Sequence, residues 1–176
     1  LQRLLHSMAL PFSRAGRREI GRILSSDGQR ASRLMHAALC YGGSRALLRQ
    51  LEKAGIFDEA DSSVYYTFWF NNALLACALK KHTMPSLKVA SRIHGYDLYN
   101  ERAASLWQCF QPFKLQAANS VLFLTQKARD YFKDNYCDEG LLESFEEKTT
   151  VCPLGCPAAR PGVKSQREGA FLLVSC

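Results

Sequence analysis

The residues best suited to chemistry lie together in Ser91-Arg92-Ile93-His94-Gly95-Tyr96-Asp97-Leu98-Tyr99-Asn100-Glu101-Arg102. His94 closes an apolar, β-forming stretch, Gly95 permits a sharp turn directly after it, and acidic side chains follow within a few positions. An imidazole so placed can donate to a hydroxyl or a phosphate, or move a proton near neutral pH. The plainer alternative is a structural histidine that satisfies its hydrogen bonds inside the fold, as most buried polar groups do. Cys137, Cys152 and Cys156 raise a second candidate, a zinc site. Pro153-Leu154-Gly155 makes a poor knuckle, and no histidine lies close in sequence, so free thiols are expected and no metal ligand is assigned. No Gly-Lys-Ser/Thr phosphate loop and no GxGxxG turn follows any predicted strand.

Such residues act only where a scaffold holds them. Leu1, Leu4, Leu5 and Met8 keep helical spacing up to Pro11, and Ile20, Ile23 and Leu24 do so again among Arg14, Arg17, Arg18 and Arg22. Ser26-Asp27 predicts the N-cap of a third helix, Gly42-Gly43 its end, and Ser44–Lys53 a further short helix stopped by Gly55. From Val64 the pattern turns β-branched and aromatic up to Trp69, and a helix around Leu74–Leu79 follows, running out at Lys80-Lys81-His82. Further strands are predicted at Leu87–His94, Ser120–Leu124, Thr149–Pro153 and Ala170–Ser175. Helices are predicted over Glu101–Ala118 (broken near Pro112), Lys127–Tyr136 and Asp138–Lys148. This alternation implies βαβ units, hence an α/β fold: a Rossmann-like parallel sheet with flanking helices on both faces. Ligands in such sheets sit at the carboxyl ends of the strands, where His94 falls.

A composition of 47% hydrophobic and 22% charged residues is that of a soluble globular domain, and 176 residues hold one good core. No apolar run approaches the roughly 18–20 residues a membrane-spanning helix needs. The opening Leu-Gln-Arg-Leu-Leu-His has neither an initiator Met nor a signal-peptide layout, so it is expected to be an internal position of a longer protein. Seven cysteines, an odd number with several inside predicted helices and strands, point to reduced thiols in the cytoplasm. Residues 1–55 carry ten Lys/Arg against three Asp/Glu, whereas residues 56–176 carry thirteen of each. The whole surplus of +7 therefore belongs to the N-terminal third. It can attract an anionic membrane or a phosphate-bearing substrate, or simply solvate amphipathic helices.

The His94 block resembles the Arg-x-His-Gly-x-Asp-Leu-Tyr-x-Glu-Arg segment of bacterial retaining glycosyltransferases of the GT-B fold, enzymes of cell-surface polysaccharide assembly. Three other stretches are similar in the same order: Val64–Phe70 with its Ala/Leu-rich helix, Pro112-Phe113-Lys114 through Thr125 and Tyr131, and Val151-Cys152-Pro153-Leu154-Gly155. The resemblance covers residues 62–176, and residues 1–61 are compatible with it as a helical region. It implies that His94 faces the interdomain cleft near the transferred sugar, with Gly95 as the turn beside it. Asp97, Tyr99, Glu101 and Arg102 complete the block, either as contacts or as turn and cap residues holding His94. Trp69 is a candidate for the acceptor cleft, and Thr125 for either the cleft or a helix cap. Glu139 and Glu147 mimic the family's paired donor-binding glutamates in spacing, but they precede the expected linker and are set aside.

The resemblance then implies an incomplete GT-B N-terminal domain. Residues 1–61 form its basic helical region, 62–157 the acceptor-side core, 158–169 an interdomain linker, and 170–176 the first strand of a missing donor-binding domain. The implied reaction moves a sugar from a nucleotide-sugar donor, bound through that missing domain, to a glycan or lipid-linked acceptor. No cofactor and no nucleic acid is expected. The expected location is cytoplasmic, with peripheral contact to the inner membrane as an option. The isolated fragment is expected to be inactive. A non-catalytic basic module for membranes or phosphates is the alternative.

Overall fold

The computed structural model describes residues 2–59 and 62–154. The predicted linker and the strand at Ala170–Ser175 lie outside the described residues. Three helices come first: α1 (Gln2–Ser7), α2 (Arg14–Ser25) and α3 (Arg30–Lys53). A parallel sheet follows, built from β1 (Val64–Thr67), β2 (Lys88–Ile93), β3 (Ser120–Phe123) and β4 (Thr149–Val151). Its crossovers carry α4 (Asn72–Lys81), the short α5 (Gly95–Leu98), α6 (Gln111–Ala117), α7 (Gln126–Tyr136) and α8 (Glu139–Lys148).

The strands stand in the order β1-β2-β3-β4. A right-handed crossover always places its helix on the same side when the chain steps in one direction across a sheet. Burial follows that rule. Val89, Ser91, Ile93, Val121, Phe123 and Thr149 lie on one face and are buried, whereas Val64, Tyr66, Lys88 and Thr150 on the other are exposed. Among the described residues the helices thus cover one face, not two as the alternation of elements predicts. Alternation alone does not encode the direction of stepping, and that direction decides the layering.

The covered face holds the main core. Phe70, Leu74, Ile93, Leu98, Val121, Phe123, Phe132 and Phe145 pack there, with Leu48 and Phe57 contributed by the preceding helical region. Phe132 stacks on Phe145, ring centroids 5.9 Å apart. A second cluster under the N-terminal helices joins Leu10, Ile23, Ala37, Tyr41, Leu75 and Phe110.

Two local expectations are corrected. Gly42-Gly43 does not end a helix, because α3 runs through both. The roughly 1 kcal/mol that each internal glycine costs is outweighed by burial of Ala37, Tyr41, Ser44 and Leu48 on either side. The helix expected over Glu101–Ala118 is reduced to a 3₁₀ turn at Asn100–Arg102, irregular chain, and α6 with Pro112 in its first turn. Proline opens that helix because its missing N–H would have been unpaired there anyway.

Candidate functional site

The end of β1 bends through Phe68, Trp69 and Phe70, and Asn71 caps α4 by accepting the Ala73 N–H at 2.9 Å. Beside it, β2 ends at Ile93 and the chain turns at His94 into α5. Asp97 joins these two loops. One carboxylate oxygen accepts the His94 N–H at 2.6 Å and the other the Phe70 N–H at 2.5 Å. Burial raises the pKa of this carboxyl, and the two amides and the nearby Lys114 charge pull it back down.

Lys114 enters from α6. Its Nζ donates to the Phe70 carbonyl at 2.7 Å and stands 4.8 Å from the Phe70 ring centroid. Enclosure of the ammonium brings its pKa down to about 8, with Asp97 the main charge opposing that fall. Gln111, one turn earlier, donates to the Asp97 carbonyl at 2.5 Å.

His94 packs against two aromatic rings, both tilted to its own. The centroids of Phe68 and Trp69 lie 4.8 and 4.4 Å away. Its Nε2 donates to the Phe68 carbonyl at 3.1 Å. A carbonyl only accepts, so this bond puts the proton on Nε2 and leaves the lone pair on Nδ1.

A cavity of about 430 Å³ opens next to these loops. Its lining includes Trp69, Asn71, Asn72, Tyr96, Asp97 and Gln108, together with His36, Cys40, Cys109 and Lys114. Of the residues singled out from sequence, Trp69 and Asp97 reach its wall. His94 and Gly95 adjoin the cavity without lining it. A Cβ on Gly95 would meet the Tyr99 ring at 3.3 Å, so the turn is tightly packed. Thr125 is elsewhere: its hydroxyl accepts the Ala128 N–H at 3.1 Å and caps α7. Glu139 and Glu147 are exposed on α8.

His36, Cys40 and Cys109, which also line the cavity, were not singled out from sequence. His36 and Cys40 sit one turn apart on α3, and Cys109 comes from the irregular chain before α6. One ligand atom from each lies within 4.8 Å of the others. The nearness of Cys109 and His36 holds the Cys40 pKa low, and the nearness of Cys40 together with burial raises that of Cys109. The only advance signal is the His36-x3-Cys40 spacing, which puts both side chains on one helix face. Cys137 and Cys152 join no such group among the described residues.

The arrangement combines an aromatic face, three side-chain amides, a buried carboxylate and a lysine near neutrality. That is the equipment for a polyhydroxylated ligand, with a proton source or an anion contact at hand. No protein-family model, no curated protein and no solved structure matches this chain.

Proposed function

We propose that the cavity is the acceptor side of a glycosyltransferase, receiving a glycan or lipid-linked sugar while a nucleotide-sugar domain supplies the donor. The observation that carries the reading is the loop pair tied by Asp97. It places the Trp69 ring, Asn71, Asn72 and Gln108 around one cavity at the carboxyl ends of β1 and β2. Sugar rings present apolar C–H faces to aromatic side chains and hydroxyls to amides and carboxylates, and both line this cavity. The similarity of the His94 block to GT-B glycosyltransferases supports the same reading. His94, proton on Nε2 toward Phe68 and lone pair on Nδ1, braces Trp69 and offers Nδ1 as a hydrogen-bond acceptor at the cavity's edge.

The division of labour has a direct consequence. Residues 1–176 alone are expected to turn over no nucleotide sugar, because transfer needs donor and acceptor held together away from water. Robust turnover by this chain would overturn it. The acceptor contact is tested by saturation-transfer NMR with soluble oligosaccharides carrying an alkyl phosphate aglycone. Transfer to sugar-ring protons, lost in Trp69→Ala, is expected. Absence of transfer across a chemically varied set of such oligosaccharides would sink the reading.

A second reading rests on the N-terminal surface. Arg14, Arg17, Arg18 and Leu24 fall on the exposed face of α2, and Met8 and Phe12 just before it are 71% and 81% exposed. Apolar side chains beside a row of arginines suit the headgroup region of an anionic membrane. No described helix is long and apolar enough to cross one. Sedimentation with anionic but not neutral vesicles, weakened by salt and by Phe12→Ser, is the expected result.

A further inference from the structure

We propose that His36, Cys40 and Cys109 form a binding site for a thiophilic d10 metal ion, Zn²⁺ or Cu⁺. The proposal does not depend on what the cavity takes as substrate.

The donors come first. Two sulfurs and an imidazole, each offering an atom within 4.8 Å of the others, make a compact S₂N set. A tetrahedral zinc site with Zn–S near 2.3 Å and Zn–N near 2.0–2.1 Å separates its ligand atoms by roughly 3.5–3.8 Å. Small side-chain rotations close the difference. Hard cations such as Mg²⁺ and Ca²⁺ take oxygen ligands, whereas thiolates select zinc and copper.

The surroundings are those of a held ligand set. His36 Nδ1 lies 2.5 Å from the Ser105 hydroxyl, and that hydroxyl donates to the Trp107 carbonyl at 3.3 Å. With its own proton committed, Ser105 accepts from Nδ1–H, so the lone pair of the neutral ring sits on Nε2. Metal-binding histidines are oriented by such a partner on the second nitrogen.

Cys109 is held with equal care. Leu106 and Phe110, on either side of it, adopt φ of +51° and +61°, a region non-glycine residues rarely visit. The surrounding structure keeps them there. Phe110 is fully buried, and Trp107 donates to Glu19 at 2.7 Å beneath the guanidinium groups of Arg22 and Arg33. Backbone strain maintained by its neighbours is characteristic of segments that present a functional group.

Three protein ligands leave a coordination position free for water or a ligand atom. His36, Cys40 and Cys109 all line the cavity that Trp69 and Asp97 border, so an ion there would stand within that cavity.

The test uses the full chain, kept reduced by a non-thiol reductant in metal-free buffer. Zn²⁺ is titrated in competition with a chromophoric chelator, Cu⁺ in a parallel anaerobic arm, and Co²⁺ serves as a spectroscopic probe. One equivalent of ion is expected, with sulfur-to-cobalt charge transfer in the near ultraviolet. Cys40→Ser and Cys109→Ser should each abolish that band, and Ser105→Ala should weaken affinity by about tenfold. Cys137→Ser and Cys152→Ser should leave it unchanged. A measurement on the unaltered chain guards against variants that fail to fold: bound Zn²⁺ should slow alkylation of Cys40 and Cys109, mapped by mass spectrometry. Equal alkylation with and without zinc, full binding by the Cys40→Ser/Cys109→Ser double variant, or a Cys40–Cys109 disulfide persisting in the reductant would each overturn the proposal.

Discussion

The Asp97 carboxylate accepts the backbone N–H of His94 at 2.6 Å, although the two residues belong to a turn whose first task is to leave the sheet. Its second oxygen reaches across to the Phe70 N–H at 2.5 Å. One buried side chain therefore sets the spacing between the loops after β1 and β2, and with it the position of Trp69.

Asp97→Asn tests that role. An amide offers one acceptor and one donor, so whichever way it turns, its NH₂ faces a backbone N–H. The expected loss is about 2–4 kcal/mol, the range for a buried polar group left facing the wrong partner. Urea denaturation measures it, and faster amide exchange at Phe70 and His94 locates it.

Trp107 binds the helical region to the cavity wall through one hydrogen bond and two stacked arginines. Trp107→Phe keeps an aromatic ring under Arg22 and Arg33 but removes the Nε1 donor to Glu19. Glu19 is 3% exposed and would retain only Arg22, 2.8 Å away. A cost of about 1–3 kcal/mol is expected. In a double-mutant cycle with Glu19→Ala, the two losses should sum to less than their separate values, because each variant removes the Trp107–Glu19 bond.

The βαβ alternation and the order of elements were legible because apolar periodicity survives in sequence at Val64–Trp69, Leu87–His94 and Ser120–Leu124. The layering was not, since no residue type records which way a crossover steps. Gly42-Gly43 misled for a physical reason: helix propensity is a local term, and α3 is held by its packing on α1 and α4. At the site, His94 and Asp97 stood out because they adjoin one another along the chain. His36, Cys40 and Cys109 did not, because the partner thiol arrives 69 residues after Cys40. Lys114 was visible only as part of Pro112-Phe113-Lys114, because burial, not residue type, changes its chemistry.

Gly16 shows how closely α2 meets the turn before it. A Cβ there would fall 1.8 Å from the Leu10 carbonyl oxygen, a backbone atom that cannot swing aside. Gly16→Ala should therefore destabilise by roughly 3 kcal/mol despite alanine's better helix propensity. Gly21→Ala on the same helix meets nothing within 4 Å and should stabilise by about 0.5–1 kcal/mol. Paired urea midpoints distinguish a clash at one glycine from a general intolerance of the helix.

Lys114 makes stability rise with pH in a window where most side chains are silent. Its pKa is about 8 in the fold against 10.5 for a free lysine. Between those values the folded chain has given up a proton that the unfolded chain still binds, so raising the pH favours folding. Below pH 8 both states carry the charge, and the burial cost is borne in full, offset in part by Asp97, Cys40, Cys109 and Glu19. Lys114→Met removes the titration while filling similar space. Cys40, Cys109 and Asp97 feel the Lys114 charge, so the difference between the two chains reports the lysine together with its coupling to them. From pH 7 to 10 the unaltered chain should gain on the methionine variant by up to about 3 kcal/mol, the shift converted at 1.36 kcal/mol per unit. Urea midpoints at pH 7, 8, 9 and 10 measure it, and a constant difference would mean the ammonium stays charged throughout.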